Sequence, residues 1–171
     1  MHAELLVLRL VHILSAILWV GSGLFTSFFL VPVLTASPAA MGQVVAGLTR
    51  RRLFLVLQIA AALTILSGLR LLAIDSAGFS GSYFATGTGR TFAISGLLAI
   101  IAAVLSFGVS RPAMVRAGVI AASIAASSDV AEKARLAPEA DRLRRRGAFA
   151  ATLAVGFGIL AASGMAIARY V

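Results

Sequence analysis

Side chains able to hold a metal or move a proton are scarce in this chain, which has 2 histidines, 4 methionines and no cysteine in 171 residues. Without cysteine there is no disulfide, no thiolate metal site and no thiol nucleophile. His12 is the informative residue. It stands in a long apolar run with Ser15, Ala16, Trp19, Ser22, Gly23 and Thr26 at steps of three and four, which puts these residues on one helical face and leaves Leu14, Leu18 and Phe25 on the other. Small and weakly polar residues pack against neighbouring helices, so the pattern points His12 into a helical bundle. An imidazole in such an interior is a candidate ligand for haem iron, a candidate for copper or proton chemistry, or a histidine hydrogen-bonded for structure alone.

Met165 offers a thioether at a matching depth. At 1.5 Å per helical residue, His12 lies about 10 Å inside one end of the first apolar segment and Met165 about 8 Å inside the corresponding end of the last. Imidazole and thioether together are a haem iron ligand pair. Arg9, Arg70, Arg90 and Arg169 stand near the same level, where a guanidinium group either pairs with a haem propionate or snorkels to the membrane surface. Trp19 shares the face of His12 and completes the candidate cofactor contacts. His2, near the start of the chain and without a methionine or histidine cluster, would hold copper only weakly. No phosphate loop, nucleotide-binding glycine pattern or nucleophilic triad is present, so the residues leave open whether this is an enzyme at all.

The elements that must position these side chains follow from composition. With 60% hydrophobic and 12% charged residues and a mean hydropathy of +1.02, the chain carries more apolar surface than a soluble fold of its size could hide. Four apolar stretches, at 5–34, 53–74, 91–110 and 148–170, are long enough to cross a hydrocarbon layer that takes about 20 helical residues. Lipid cannot satisfy backbone donors and acceptors, so the expected fold is all-α, a four-helix integral membrane bundle forming a single domain. The net charge of +9 would suggest nucleic acid in a soluble protein. Here the cations flank the apolar runs, so the partner they imply is the bilayer.

Four crossings place both termini and the 75–90 loop on one face, and segments 35–52 and 111–147 on the other. Eleven of the 15 cations fall on that second face. The positive-inside rule then makes 35–52 and 111–147 cytoplasmic and both termini periplasmic, if the membrane is a bacterial inner one. Ser37-Pro38 sets a capping hydroxyl before a proline at the first helical position, which predicts a short helix over 38–49. One or two more helices are expected in 113–146, where Asp141 and Arg145 form an i,i+4 pair. Their basic residues suit anionic head groups or mark topology alone. Phe79, Tyr83 and Phe84, interleaved with glycine and serine, fit an interfacial aromatic belt.

A faint duplication runs through the chain. Ser27-Phe28 before Pro32 resembles Ser106-Phe107 before Pro112, and Arg50-Arg51-Arg52 ahead of Ser67-Gly68-Leu69 resembles Arg144-Arg145-Arg146 ahead of Ser163-Gly164-Met165. Two helical hairpin repeats would produce both matches. Ala60, Thr64 and Gly68, and then Ala154, Gly158 and Ala162, form small-residue stripes for close helix packing.

Arg9-Leu10-Val11-His12-Ile13, followed by Ile17, Trp19, Gly21, Gly23-Leu24-Phe25 and Pro32, resembles the opening helix of the CopD-like copper-resistance membrane proteins and the haem-containing HemJ-type protoporphyrinogen oxidases. The spacing from His12 to Trp19 is the specific part. Arg51-Arg52-Leu53-Phe54, Ser67-Gly68-Leu69 and Gly89-Arg90 also look like that superfamily, especially its small bacterial members. The resemblance implies that His12 ligates a b-type haem and that the protein has a redox or electron-transfer role. The oxidases carry a lysine early in the third helix, whereas Thr91-Phe92-Ala93-Ile94-Ser95-Gly96 has none, which argues against protoporphyrinogen oxidation. The CopD-like branch implies copper uptake or resistance instead. A third expectation is a non-catalytic membrane subunit or assembly factor without cofactor, paired with its own copy or with another membrane protein.

Overall fold

The structure is a computed structural model and describes residues 2–171, with residues 35 and 38–42 described by their backbone alone. It is all-α, and no strand occurs among the described residues. The helices are α1 (His2–Phe25), α2 (Val31–Ala36), α3 (Pro38–Arg50), α4 (Leu53–Asp75), α5 (Gly81–Phe84), α6 (Gly87–Ala103), α7 (Arg111–Ala126) and α8 (Val130–Ile167). Among the described residues four continuous helical stretches are long and apolar enough to cross a membrane: His2–Leu34, Leu53–Asp75, Gly87–Ala126 and Val130–Tyr170. The protein is therefore a multi-pass membrane protein.

Three of these stretches are much longer than a crossing needs, His2–Leu34 with its 33 residues among them. At 40 and 41 residues, Gly87–Ala126 and Val130–Tyr170 each extend roughly 60 Å, about twice the hydrocarbon thickness. The apolar runs at 91–110 and 148–170 lie within these longer helical stretches. What lets the third stretch continue past Pro112 is a π-helical turn. Proline donates no N–H and crowds the carbonyl four residues back. Over Thr26–Leu30 and again over Val104–Ser110 the backbone widens, so that the N–H of Val31 bonds Thr26 and that of Arg111 bonds Ser106, each five residues back. Pro32 and Pro112 follow one residue later. The paired Ser-Phe and Pro motifs in the sequence thus share one structural device.

The predicted surface helix forms as α3, with Pro38 in its first turn. Ser37 makes no side-chain cap, so the proline and not the hydroxyl starts it. Asp141 pairs with Arg144 three residues on, rather than with Arg145. Arg52 enters α4 in the left-handed region, φ 54°, where the chain reverses between α3 and α4.

By internal contacts the chain divides into two compact units, residues 1–100 with 157–171, and residues 101–156. In the first, α1 lies along α4, burying Ser15 and Trp19 on one helix and Ala60, Ala61, Thr64 and Ser67 on the other. The opposite side of α1, with Leu10, Leu14 and Ile17, is left exposed for lipid. Glycines set the closest approaches. A Cβ on Gly158 would stand 3.6 Å from Val20, and one on Gly164 would overlap Ser95 Oγ. The α8 stripe turns slightly from expectation, since Ala154, Gly158 and Ala161 are buried while Ala162 is exposed. In the second unit, α7 packs on α8 through Ala113, Ala117 and Leu143, with Ile120 beside them.

Because Ser95 leaves no room for a methyl group, Gly164→Ala should destabilise the protein by about 1–3 kcal/mol. Gly21, with open space where its Cβ would go, is the control, and Gly21→Ala should be neutral or slightly stabilising. Thermal unfolding in detergent compares the two.

Candidate functional site

The first unit contains a cleft of about 400 Å³, within the usual range of small-molecule and cofactor sites. Its walls are mostly apolar, with Ile13 from α1, Ile65, Leu69 and Leu72 from α4, and Phe92, Ala99 and Ile100 from α6. His12 and Met165 both line it, as the depth argument required. Arg9, Arg169 and Asp75 line it as well, and they bring the only formal charges into an otherwise greasy surface.

His12 is held from α4. Its Nδ1 lies 2.8 Å from the Thr64 carbonyl oxygen and 3.3 Å from Ser67 Oγ. A carbonyl can only accept, so Nδ1–H donates to Thr64, and in the neutral ring this tautomer leaves the lone pair on Nε2. This arrangement, one ring nitrogen bonded to a backbone carbonyl, orients metal-binding histidines and raises the basicity of the other nitrogen. The Thr64 carbonyl can serve because Ser67 sits one turn on and presents its hydroxyl to the Leu63 and Thr64 carbonyls, keeping the edge of α4 polar here. Thr64 Oγ1 in turn donates to Ser15 Oγ at 2.9 Å, and Ser15 donates to the Val11 carbonyl at 2.6 Å. Four polar side chains within the apolar bundle are thereby satisfied by one another and by backbone.

Gly68 supplies the space. A Cβ there would stand 2.8 Å from His12 Cε1 and 3.2 Å from Nδ1, closer than side chains tolerate. The imidazole therefore brings its Cε1–Nδ1 edge against the α4 backbone, where glycine leaves the room. Sequence reasoning had Gly68 in a packing stripe and Ser67-Gly68-Leu69 in a motif; their common role as the seat of His12 emerges only from the register of α1 on α4.

The remaining candidates divide. Arg70 does not line the cleft, and its guanidinium meets Glu4 at 2.6 Å in an exposed ion pair that ties α4 to the start of α1. Arg90 turns back to the Thr86 carbonyl, its Nε donating at 3.3 Å. Trp19 is buried two turns from His12 and lies outside the cleft wall. Asp75 was not anticipated as a site residue. It ends α4, and the chain then turns through Ala77, Gly78 and Phe79, all with positive φ, fastened by the Phe79 N–H donating to the buried Ser76 hydroxyl. This turn brings Tyr83 of α5 near both Asp75 and Arg169. Burial and then the Asp75 carboxylate push the Tyr83 hydroxyl above its ordinary value, while Arg169 pulls it down.

The chain matches no family model, no curated protein and no solved structure.

Two measurements test the site. Nitrogen-15 shifts at alkaline pH, where imidazole is neutral, should find the His12 proton on Nδ1. In Gly68→Ala the displaced ring should lose that preference for one tautomer. In a Tyr170→Phe background, phenolate absorbance should show Tyr83 titrating above the usual tyrosine value. Asp75→Asn should lower that midpoint and Arg169→Gln should raise it. The native state holds this proton more tightly than the unfolded chain, so the stabilisation is complete below the ordinary tyrosine value and is lost as pH rises through the raised one.

Proposed function

We propose that this protein binds a b-type haem through His12 and serves a redox or electron-transfer role in a bacterial inner membrane, with both termini periplasmic. The observation that carries the reading is the fixed imidazole, its Nδ1–H given to Thr64 and its Nε2 free, in a residue that lines an apolar cleft. Ligand arithmetic favours haem over a bare ion. Among the described residues no three His, Cys, Asp or Glu side chains gather into a metal-binding group. A copper or zinc ion draws three or four donors from the protein, whereas haem iron arrives with four ring nitrogens and asks one or two more.

The donor set fits that group. His12 would hold the iron, with Met165 an available second ligand and Arg9 and Arg169 partners for propionates, while the Ile, Leu and Phe side chains would exclude water from the group. Haem there supplies one-electron chemistry at a potential set by axial ligation and burial. The chain's own contribution is positional. The Thr64 carbonyl would fix the ring through Nδ1, and Gly68 would leave the ring the room to sit against α4. Arg70 and Arg90, engaged with Glu4 and Thr86, have no part in this site.

Protein purified from haem-replete cells should show a Soret band that shifts on dithionite reduction. His12→Ala should abolish it. Met165→Ala should retain the pigment while changing its spin state if the thioether is the second ligand. A colourless wild-type preparation refutes the haem reading, and stoichiometric copper in that preparation would put the copper reading in its place. Membrane orientation is checked independently by the accessibility of cysteines introduced at residue 2 and residue 128.

A further inference from the structure

The second unit presents a charge distribution that the cleft does not use. Its acids, Asp129, Glu132, Glu139 and Asp141, all precede Arg142, and Arg142, Arg144, Arg145 and Arg146 then follow within five residues. The packing of α7 on α8 brings two more arginines to that level. Gly147 lies against Met114 and the Ser110 carbonyl, and Leu143 lies against Ala113 and Ala117. Arg111 and Arg116 therefore stand beside 142–146, and all six arginines are exposed. At about 100° per residue, four arginines within five α8 positions cannot share one face, and Arg111 and Arg116 emerge on different sides of α7. The result is a collar around the two-helix unit, in which Arg144 is joined to Asp141.

Apolar side chains are interleaved with the collar. Met114, Val115 and Phe149 are all exposed, Phe149 by 67%, within one turn of these arginines. Arginine heads and bare hydrocarbon at one level suit an environment that is anionic on one side and oily on the other. The position agrees, since beyond Gly147 α8 continues into the apolar run 148–170, and Arg111 is preceded by the apolar α6 and the π turn Val104–Ser110.

We propose that this collar binds the phosphodiester head groups of anionic phospholipids, with Met114, Val115 and Phe149 against the upper acyl chains, so that the protein holds a shell of anionic lipid around α7 and α8. Guanidinium groups pair with phosphate oxygens through two parallel hydrogen bonds, and each cation near an anionic surface strengthens attachment several-fold. The proposal is independent of whether haem binds.

The test uses purified full-length protein in mixed micelles of equal phosphatidylglycerol and phosphatidylcholine, with co-purifying lipid measured by native mass spectrometry. Phosphatidylglycerol should be retained over phosphatidylcholine by about fivefold or more, the effect expected of even one surface arginine. The triple change Arg144→Gln, Arg145→Gln and Arg146→Gln should bring the ratio toward parity, whereas the corresponding lysine triple should preserve most of it. If the glutamine protein does not fold, the wild type still decides. Its preference should collapse near 1 M NaCl, where screening acts within about 3 Å. Inorganic phosphate at matched ionic strength should displace no more lipid than chloride does. Equal retention of the two lipids by the wild type, or an unchanged ratio in a folded glutamine variant, overturns the proposal. So does a stable dimer whose formation, rather than lipid, depends on the arginines.

Discussion

A backbone in hydrocarbon has no water to bond, and each unpaired N–H or C=O there costs several kcal/mol. That constraint makes helices of the spans and decides how their interruptions are handled. Pro32 and Pro112 each remove a donor, and a lone proline would leave a carbonyl bare. The π turns at Thr26–Leu30 and Val104–Ser110 redirect the preceding N–H groups and keep the chain helical through both sites. The helical stretches that result are longer than a lipid crossing requires.

The same constraint governs side chains. Lipid is as apolar as leucine, so helices are drawn together by close packing and internal hydrogen bonds more than by hydrophobicity. Gly164 against Ser95 and Gly68 against His12 each permit an approach that a methyl group would block, and Gly158 lies in ordinary contact with Val20. The second of these joins close approach to polarity at His12. The imidazole bonds the Thr64 carbonyl because Gly68 lets it reach that carbonyl, and Ser15, Thr64 and Ser67 close the remaining polar valences. A histidine seated this way is fixed in orientation, with its Nδ1 turned to the α4 backbone.

Charge is kept out of this interior and placed by depth. Asp75 and Arg169 reach the cleft from the ends of their helices and Arg9 from one turn before His12, Arg70 pairs with Glu4, and the densest cations collect on residues 111–146. A polar network in the middle and charges at the margins let one apolar bundle contain a potential ligand without burying an unpaired ion.

Much of this was legible in the sequence because it depends on short-range properties. Apolar length dictates the spans, backbone satisfaction dictates helix, and 3.6-residue periodicity separates the His12 face from the Leu14 face before any neighbour is known. The depth match of His12 and Met165 was also readable, since helical rise is constant. Tertiary structure alone decided what each side chain meets, because that depends on the rotation and register of one helix against another. It gave Arg70 to Glu4, moved the α8 stripe from Ala162 to Ala161, brought Asp75 into the cleft wall and set Gly68 under the imidazole. A rotation of α4 by one residue, about 100°, would have left every sequence pattern intact and His12 without its carbonyl.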